Sequence, residues 1–231
     1  MKLHTIAAAL TTALLLAACG GGGSDNAVVD PVAAATAWQN LYSGNRQWAL
    51  TGTGSDNLAY TLNLALVSGG AQTFPLTGAA TTVRYWDSTL TATGQLPATG
   101  RTAYYLDPAS LVLAGTQNVT SGACAQVTNS VLPPASTAVG TSGVQAQLTG
   151  YVGCTPNPLS GVTGVMRWAV AQELGVSYLC SSVLQSDTIG GSVYEEDCFE
   201  TTPQGQIGSR ARVYIQIKTT TTVWSLQLRT P

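Results

Sequence analysis

Arg212-Val213-Tyr214-Ile215-Gln216-Ile217-Lys218, followed after a short break by Trp224-Ser225-Leu226-Gln227-Leu228, is the stretch that decides the architecture. Val213, Ile215 and Ile217 alternate with polar or charged neighbours, and Trp224, Leu226 and Leu228 again fall on every second position. A period of two puts all these apolar side chains on one face of an extended chain, so the stretch predicts a pair of half-buried strands. The same rhythm appears near the other end of the body. There Tyr60, Leu62, Leu64 and Leu66 alternate with Thr61, Asn63 and Ala65, and residues 54–57 supply a turn after Thr51-Gly52. Further extended segments are expected at 73–76, led in by Gly69-Gly70, and at 82–86, 89–93, 101–106, 110–115, 144–152, 164–172 and 176–184. Glycine, proline and aspartate punctuate them. The chain is therefore expected to be mainly β, an antiparallel β-sandwich or barrel-like body of about a dozen short strands.

One segment breaks this rhythm. Trp38, Leu41 and Tyr42 lie at i, i+3 and i+4, which makes one apolar stripe on a helix. Asp30 suits the N-cap, Pro31 the first helical position and Gly44 the C-terminal cap. A short N-terminal helix is expected over 31–43, packed on the body. Residues 130–143, with Pro133-Pro134, read as a long loop. The body, 31–231, is read as one domain, the alternative being two β halves split near 130–143. The tripeptide Leu-Thr-Gly, at 50–52, 76–78 and 148–150, is the internal echo that such a duplication would leave.

The first residues determine an address. Lys2 and His4 make a short basic start, and the run from Thr5 to Ala18 is apolar or small throughout, with Leu14-Leu15-Leu16 at its centre. That is the length of a secretory apolar region and too short for a permanent transmembrane helix. It ends in Leu16-Ala17-Ala18-Cys19-Gly20. Here the sequence resembles the lipobox of bacterial lipoproteins, in which the cysteine becomes the acylated N-terminus. The resemblance implies cleavage after residue 18 and palmitate-type acylation of Cys19; the glycine-rich, polar composition that follows predicts a flexible tether over 19–30. Because Gly20 is not aspartate, the resemblance also implies the outer membrane. Several acyl chains, at about 0.8 kcal/mol per buried methylene, make such an anchor permanent. The resemblance implies nothing about the activity of the body.

Composition excludes more than it proposes. The one histidine of the chain is His4, within the signal segment. A body without imidazole has no Ser-His or Cys-His nucleophile and no histidine-ligated metal. Charged residues are only 9% of the chain and formal net charge is −2, with no basic patch, so no nucleic-acid partner is expected. No cofactor or metal is expected either. Beyond Cys19, Cys124, Cys154, Cys180 and Cys198 form an even set in an exported chain, which predicts two disulfides, favoured as Cys124–Cys154 and Cys180–Cys198.

Three constellations invite a functional reading. Glu195-Glu196-Asp197-Cys198-Phe199-Glu200 gathers four of eleven carboxylates. Read as a calcium loop it matches no known ligand spacing, so it is expected to be a solvated hairpin end. If it were extended, however, neighbouring side chains would point to opposite faces. Glu173 and Asp187 would be the candidates for a glycosidase-type acid and base. Tyr85-Trp86 and Tyr104-Tyr105 place one ring on each face of their strands, so one ring of each pair must be covered by a second layer or stand free to bind. The expected function is that of a non-catalytic envelope protein with a structural or protein-binding role. A small-ligand or glycan-binding module using these aromatics is the alternative, and a carboxylate hydrolase the third.

Overall fold

The computed structural model describes residues 30–231 apart from 157 and 158. One helix, α1 (Ala34–Ser43), precedes twelve strands. These are β1 (Arg46–Gly54), β2 (Ala59–Thr73), β3 (Ala80–Ala92), β4 (Ala98–Leu106), β5 (Leu113–Asn118) and β6 (Cys124–Thr128). Then come β7 (Ser142–Tyr151), β8 (Leu159–Glu173), β9 (Val176–Ser186), β10 (Ser192–Thr201), β11 (Ile207–Lys218) and β12 (Val223–Arg229). Each strand pairs antiparallel with the next, and β12 returns to β1 through Thr51 opposite Arg229 and Gly54 opposite Leu226. The result is a closed up-and-down barrel. Among the described residues, closure leaves no strand without a neighbour on each side.

The alternation visible in the sequence sets which side chains fill the barrel. One rung of directly opposed residues runs Met166, Val183, Glu195, Ile215, Leu226 and Gly54. The next rung toward α1 holds Trp168, Ser181, Asp197, Val213 and Leu228. Both rungs face inward, where Leu50, Leu62, Leu64, Leu66, Leu148, Val170 and Leu179 join them in the core. Outside, Thr51, Thr61 and Thr91 stand side by side, and Asp87 is ion-paired with Arg101. The inner face is mostly apolar, with Glu195 and Asp197 as exceptions, and the outer face carries these threonines and charges.

Several expectations need correction. The mainly β, barrel-like body of a dozen strands is as expected, but strand length ranges from 5 residues in β6 to 15 in β2 and β8. Residues 82–86 and 89–93 are one strand, β3, and Gly69-Gly70 is no boundary but part of β2, where register shifts between Ser68 and Gly70. Such a bulge bends a long strand round the barrel without ending it. The turn lies instead at 74–79, across most of the strand expected at 73–76. The helix starts three residues later than expected. Asp30 and Pro31 do not cap it, because Val32 is drawn into a two-way backbone bridge with Thr137 at 2.9 Å each way. The helix begins after Ala33 with no side-chain cap, and Gly44 is extended, passing straight into β1. The loop expected over 130–143 spans 129–141 and connects β6 to β7, neighbours in the single closed sheet.

Candidate functional site: the barrel lumen

Helix α1 seals one end of the barrel. Ala34, Ala37, Trp38, Leu41 and Tyr42 are all buried, and the connections at that end supply carbonyls to hold it. Ala33 N–H donates to Pro203 O at 2.9 Å and Ala35 N–H to Pro134 O at 3.1 Å. Trp38 Nε1 donates to Leu111 O at 3.1 Å, and Asn40 Nδ2 to Gly205 O at 2.9 Å. From the barrel wall, Arg84 Nη2 reaches Ser43 O at 2.6 Å. These bonds satisfy backbone and indole groups that would otherwise be buried unpaired at a helix end. Gly205 allows the close approach. Its φ of +80° suits glycine, and a Cβ there would lie 2.8 Å from both Ala33 O and Ala37 N.

Above the plug sits a floor of aromatic rings. Trp38 packs on Tyr42 with centroids 4.6 Å apart, and Trp48 on Phe199 at 4.5 Å. Trp86 bridges the group, 5.5 Å from Phe199 and 6.3 Å from both Tyr42 and Tyr104. Beyond the floor a cavity of about 420 Å³ extends toward the opposite end. Leu148, Met166, Val162 and Val183 give it apolar walls, Tyr104 and Glu195 its base, and Thr116, Asn118, Ser121, Ser160 and Gln185 a polar rim.

Glu195 and Asp197 are the unexpected occupants of this lumen. The acidic run is not a solvated hairpin end. It lies inside β10, where strict alternation turns Glu195 and Asp197 inward with Val193 and Phe199, and Glu196, Cys198 and Glu200 outward. Both inward carboxyls lie deep in the molecule yet keep some accessible surface, and Glu195 faces the cavity. Burial, followed by the charges of Glu195 and Glu196, holds the Asp197 carboxyl well above the ordinary carboxylate range, and burial raises Glu195. Burial first, and then Tyr42, Glu195 and Asp197, keep the Tyr104 phenol protonated far beyond its ordinary range. The ion-paired arginines, Arg101, Arg212 and Arg229, answer to Asp87 and Glu173 on the outer wall, and none of them neutralises the lumen acids.

The other candidates fall elsewhere. Trp86 and Tyr104 face the lumen, whereas Tyr85 and Tyr105 face outward, so the four make no common row. Tyr105 is covered by Phe74, at 4.8 Å between ring centroids, and Tyr85 lies under the Arg101 guanidinium at 4.9 Å. Glu173 ends β8 at the plugged end and is tied to Arg212 at 3.0 Å. Asp187 caps the β9–β10 turn at the open end, accepting from Gly191 N–H at 2.7 Å. They stand at opposite ends of the barrel and form no acid–base pair. The disulfides are Cys124–Cys154 and Cys180–Cys198. Cys180, Cys198 and Glu196 also lie close enough together to suggest a metal site, but both sulfurs are committed to a disulfide. Cys19 lies outside the described residues.

No family model matches the chain, and neither the curated proteins nor the solved structures contain a match.

Proposed function

We propose that this protein is a lipid-anchored, non-catalytic binding protein of the outer membrane that takes a small molecule into its barrel. The supporting observation is the lumen itself: a cavity of about 420 Å³, closed by α1 at one end and rimmed with polar side chains toward the other. A purely structural barrel of this size has no reason to keep such a void, since close packing is the rule in protein interiors and each void forfeits contacts. Concave, mostly apolar sites with a few convergent polar groups are the usual form of ligand pockets. The aromatics support the same reading, because Trp86 and Tyr104 point inward rather than forming an exposed platform for a glycan or protein.

The arrangement also has a direction. The described chain enters at the plugged end, and the twelve residues from Cys19 to Asp30 reach at most about 40 Å. Anchored through Cys19, the barrel is held from its plugged end, opposite the open rim.

Capture from native material tests the reading. Protein purified without denaturation from its own envelope is expected to release a small molecule on unfolding, as read by native mass spectrometry. Val183→Trp, which fills the lumen, is expected to carry none. Equal retention by the filled variant would sink the proposal.

A carboxylate hydrolase is the second reading, favoured by the one feature that Glu195 and Asp197 supply: two acids on neighbouring inward positions. Hydrolysis of a glycoside needs both acids flanking one bond. Only Glu195 lines the cavity, with Asp197 one rung deeper. The geometry therefore favours binding, and turnover of a glycoside or ester abolished by Asp197→Asn would reverse that choice.

A further inference from the structure

We infer that the lumen ligand is an organic cation, an ammonium head on an apolar or aromatic body, seated head-first on Glu195; this rests on the lumen-binding reading above. Two observations converge on it. First, Glu195 lines the base of the cavity, and the ion-paired arginines are all on the outer wall. A carboxylate so placed costs desolvation energy that a cation entering the lumen offsets. Second, the surfaces beside it are aromatic. Tyr104 lines the same cavity, with Trp86 packed on it at 6.3 Å between centroids. Ring faces attract a desolvated ammonium, and quaternary ammonium groups above all.

The walls select the rest of the ligand. Leu148, Met166 and Val183 surround the middle of the cavity, so the body behind the ammonium head is apolar. Glu195 lies three residues into β10 from Ser192, about 10 Å below the rim at the usual rise per residue. A polar tail would then meet Asn118 and Gln185 at the rim.

Calorimetry with three soluble probes of similar size tests the charge requirement: benzyltrimethylammonium, benzyl alcohol and benzoate. The lipidated protein is held in nanodiscs, with empty discs as the blank. Benzyltrimethylammonium is expected to bind saturably and at least about tenfold more tightly than benzyl alcohol, with benzoate weakest. Glu195→Gln is expected to erase that preference while leaving benzyl alcohol unchanged. Its melting temperature, expected at or above that of the parent, shows that it folds. Asp197→Asn is a second variant, expected to weaken cation binding by a smaller factor. If benzyl alcohol binds as tightly as the cation, and Val183→Trp blocks both, the lumen reading stands and the cationic class falls. If the cation binds Val183→Trp as well as the parent, or no probe binds, both readings fall. Saturable calcium binding lost in Glu195→Gln, without cation preference among the organic probes, would make this a metal site instead.

Discussion

Cys180 and Cys198 stand directly opposite one another on β9 and β10, with Cα atoms 4.0 Å apart. Their bond lies on the outer wall, beside Tyr178, Ala169 and Ala171. By fixing this pair outward it fixes their neighbours inward. Asp197 must face the lumen if Cys198 does not, and Glu195 goes with it. A strand slipped by one residue would expel both acids and bury Glu196 instead. The disulfide therefore holds the register on which the site depends.

Removing it is expected to cost stability chiefly through the unfolded chain. With the cysteines 18 positions apart, Cys180→Ala/Cys198→Ala should lose about 3 kcal/mol in the loop-entropy picture. Urea unfolding of parent and variant measures this directly. A loss below about 1 kcal/mol would show that strand pairing alone holds the register.

The lumen acids give the unliganded protein an unusual response to pH. Below about pH 4 they are protonated in both folded and unfolded chains and cost nothing. As pH rises, the unfolded chain gives up its protons first, because Asp197 and Glu195 are raised in the fold. Stability should therefore fall with pH until the folded groups also ionise, at up to about 1.4 kcal/mol per pH unit for each proton. Asp56, held low first by the Tyr60 hydroxyl, and Asp107, held low first by the Ser110 N–H, act with the opposite sign. Their contribution is lost only at the acid end. Of the other groups facing the acids, Tyr42 and Tyr104 are pushed beyond the ordinary phenol range and stay neutral. Melting curves of the parent and Asp197→Asn from pH 4 to 9 should diverge, with the variant more stable at neutral pH. Superimposable profiles would contradict the burial of Asp197.

How much of this was legible in the sequence depended on which residues carried the signal. The wall was readable because Val213, Ile215 and Ile217 repeat at a period of two, and the helix because Trp38, Leu41 and Tyr42 repeat near four. Barrel closure was not readable, since the Thr51–Arg229 pairing links residues 178 positions apart by number and leaves no local trace. The lumen acids were half visible. Val193, Glu195, Asp197 and Phe199 share one parity, which is a strand with two carboxylates on its apolar face. Polarity outweighed period in that segment, because a charge cluster is ordinarily solvated. Only the void beside Glu195 makes the exception understandable.

The plug should be sensitive at its closest backbone approach. Gly205 combines a φ of +80° with atoms of the helix 2.8 Å from where a Cβ would sit. Gly205→Ala adds left-handed strain and a collision with backbone that has no flexible end to move. A loss of about 2–4 kcal/mol is expected from the two together. It should be accompanied by faster hydrogen exchange at Trp38 Nε1, whose bond to Leu111 O keeps the helix seated. Unchanged exchange would mean that the turn, and not the plug, gives way.

Anchoring and binding should separate cleanly. The lipobox-like Leu16-Ala17-Ala18-Cys19 precedes the barrel, while every residue lining the cavity lies between Thr102 and Glu195. Cys19→Ser is therefore expected to abolish fatty-acid labelling and to leave the protein unprocessed or outside the outer-membrane fraction. Its disulfides and its affinity for benzyltrimethylammonium should stay as in the parent. Metabolic labelling with palmitate, fractionation and calorimetry on the same preparation measure all three. Undiminished label in Cys19→Ser would remove the anchor from the proposal and leave the barrel's binding role standing. Loss of binding with an intact fold would mean instead that the lipid holds the lumen in its competent form.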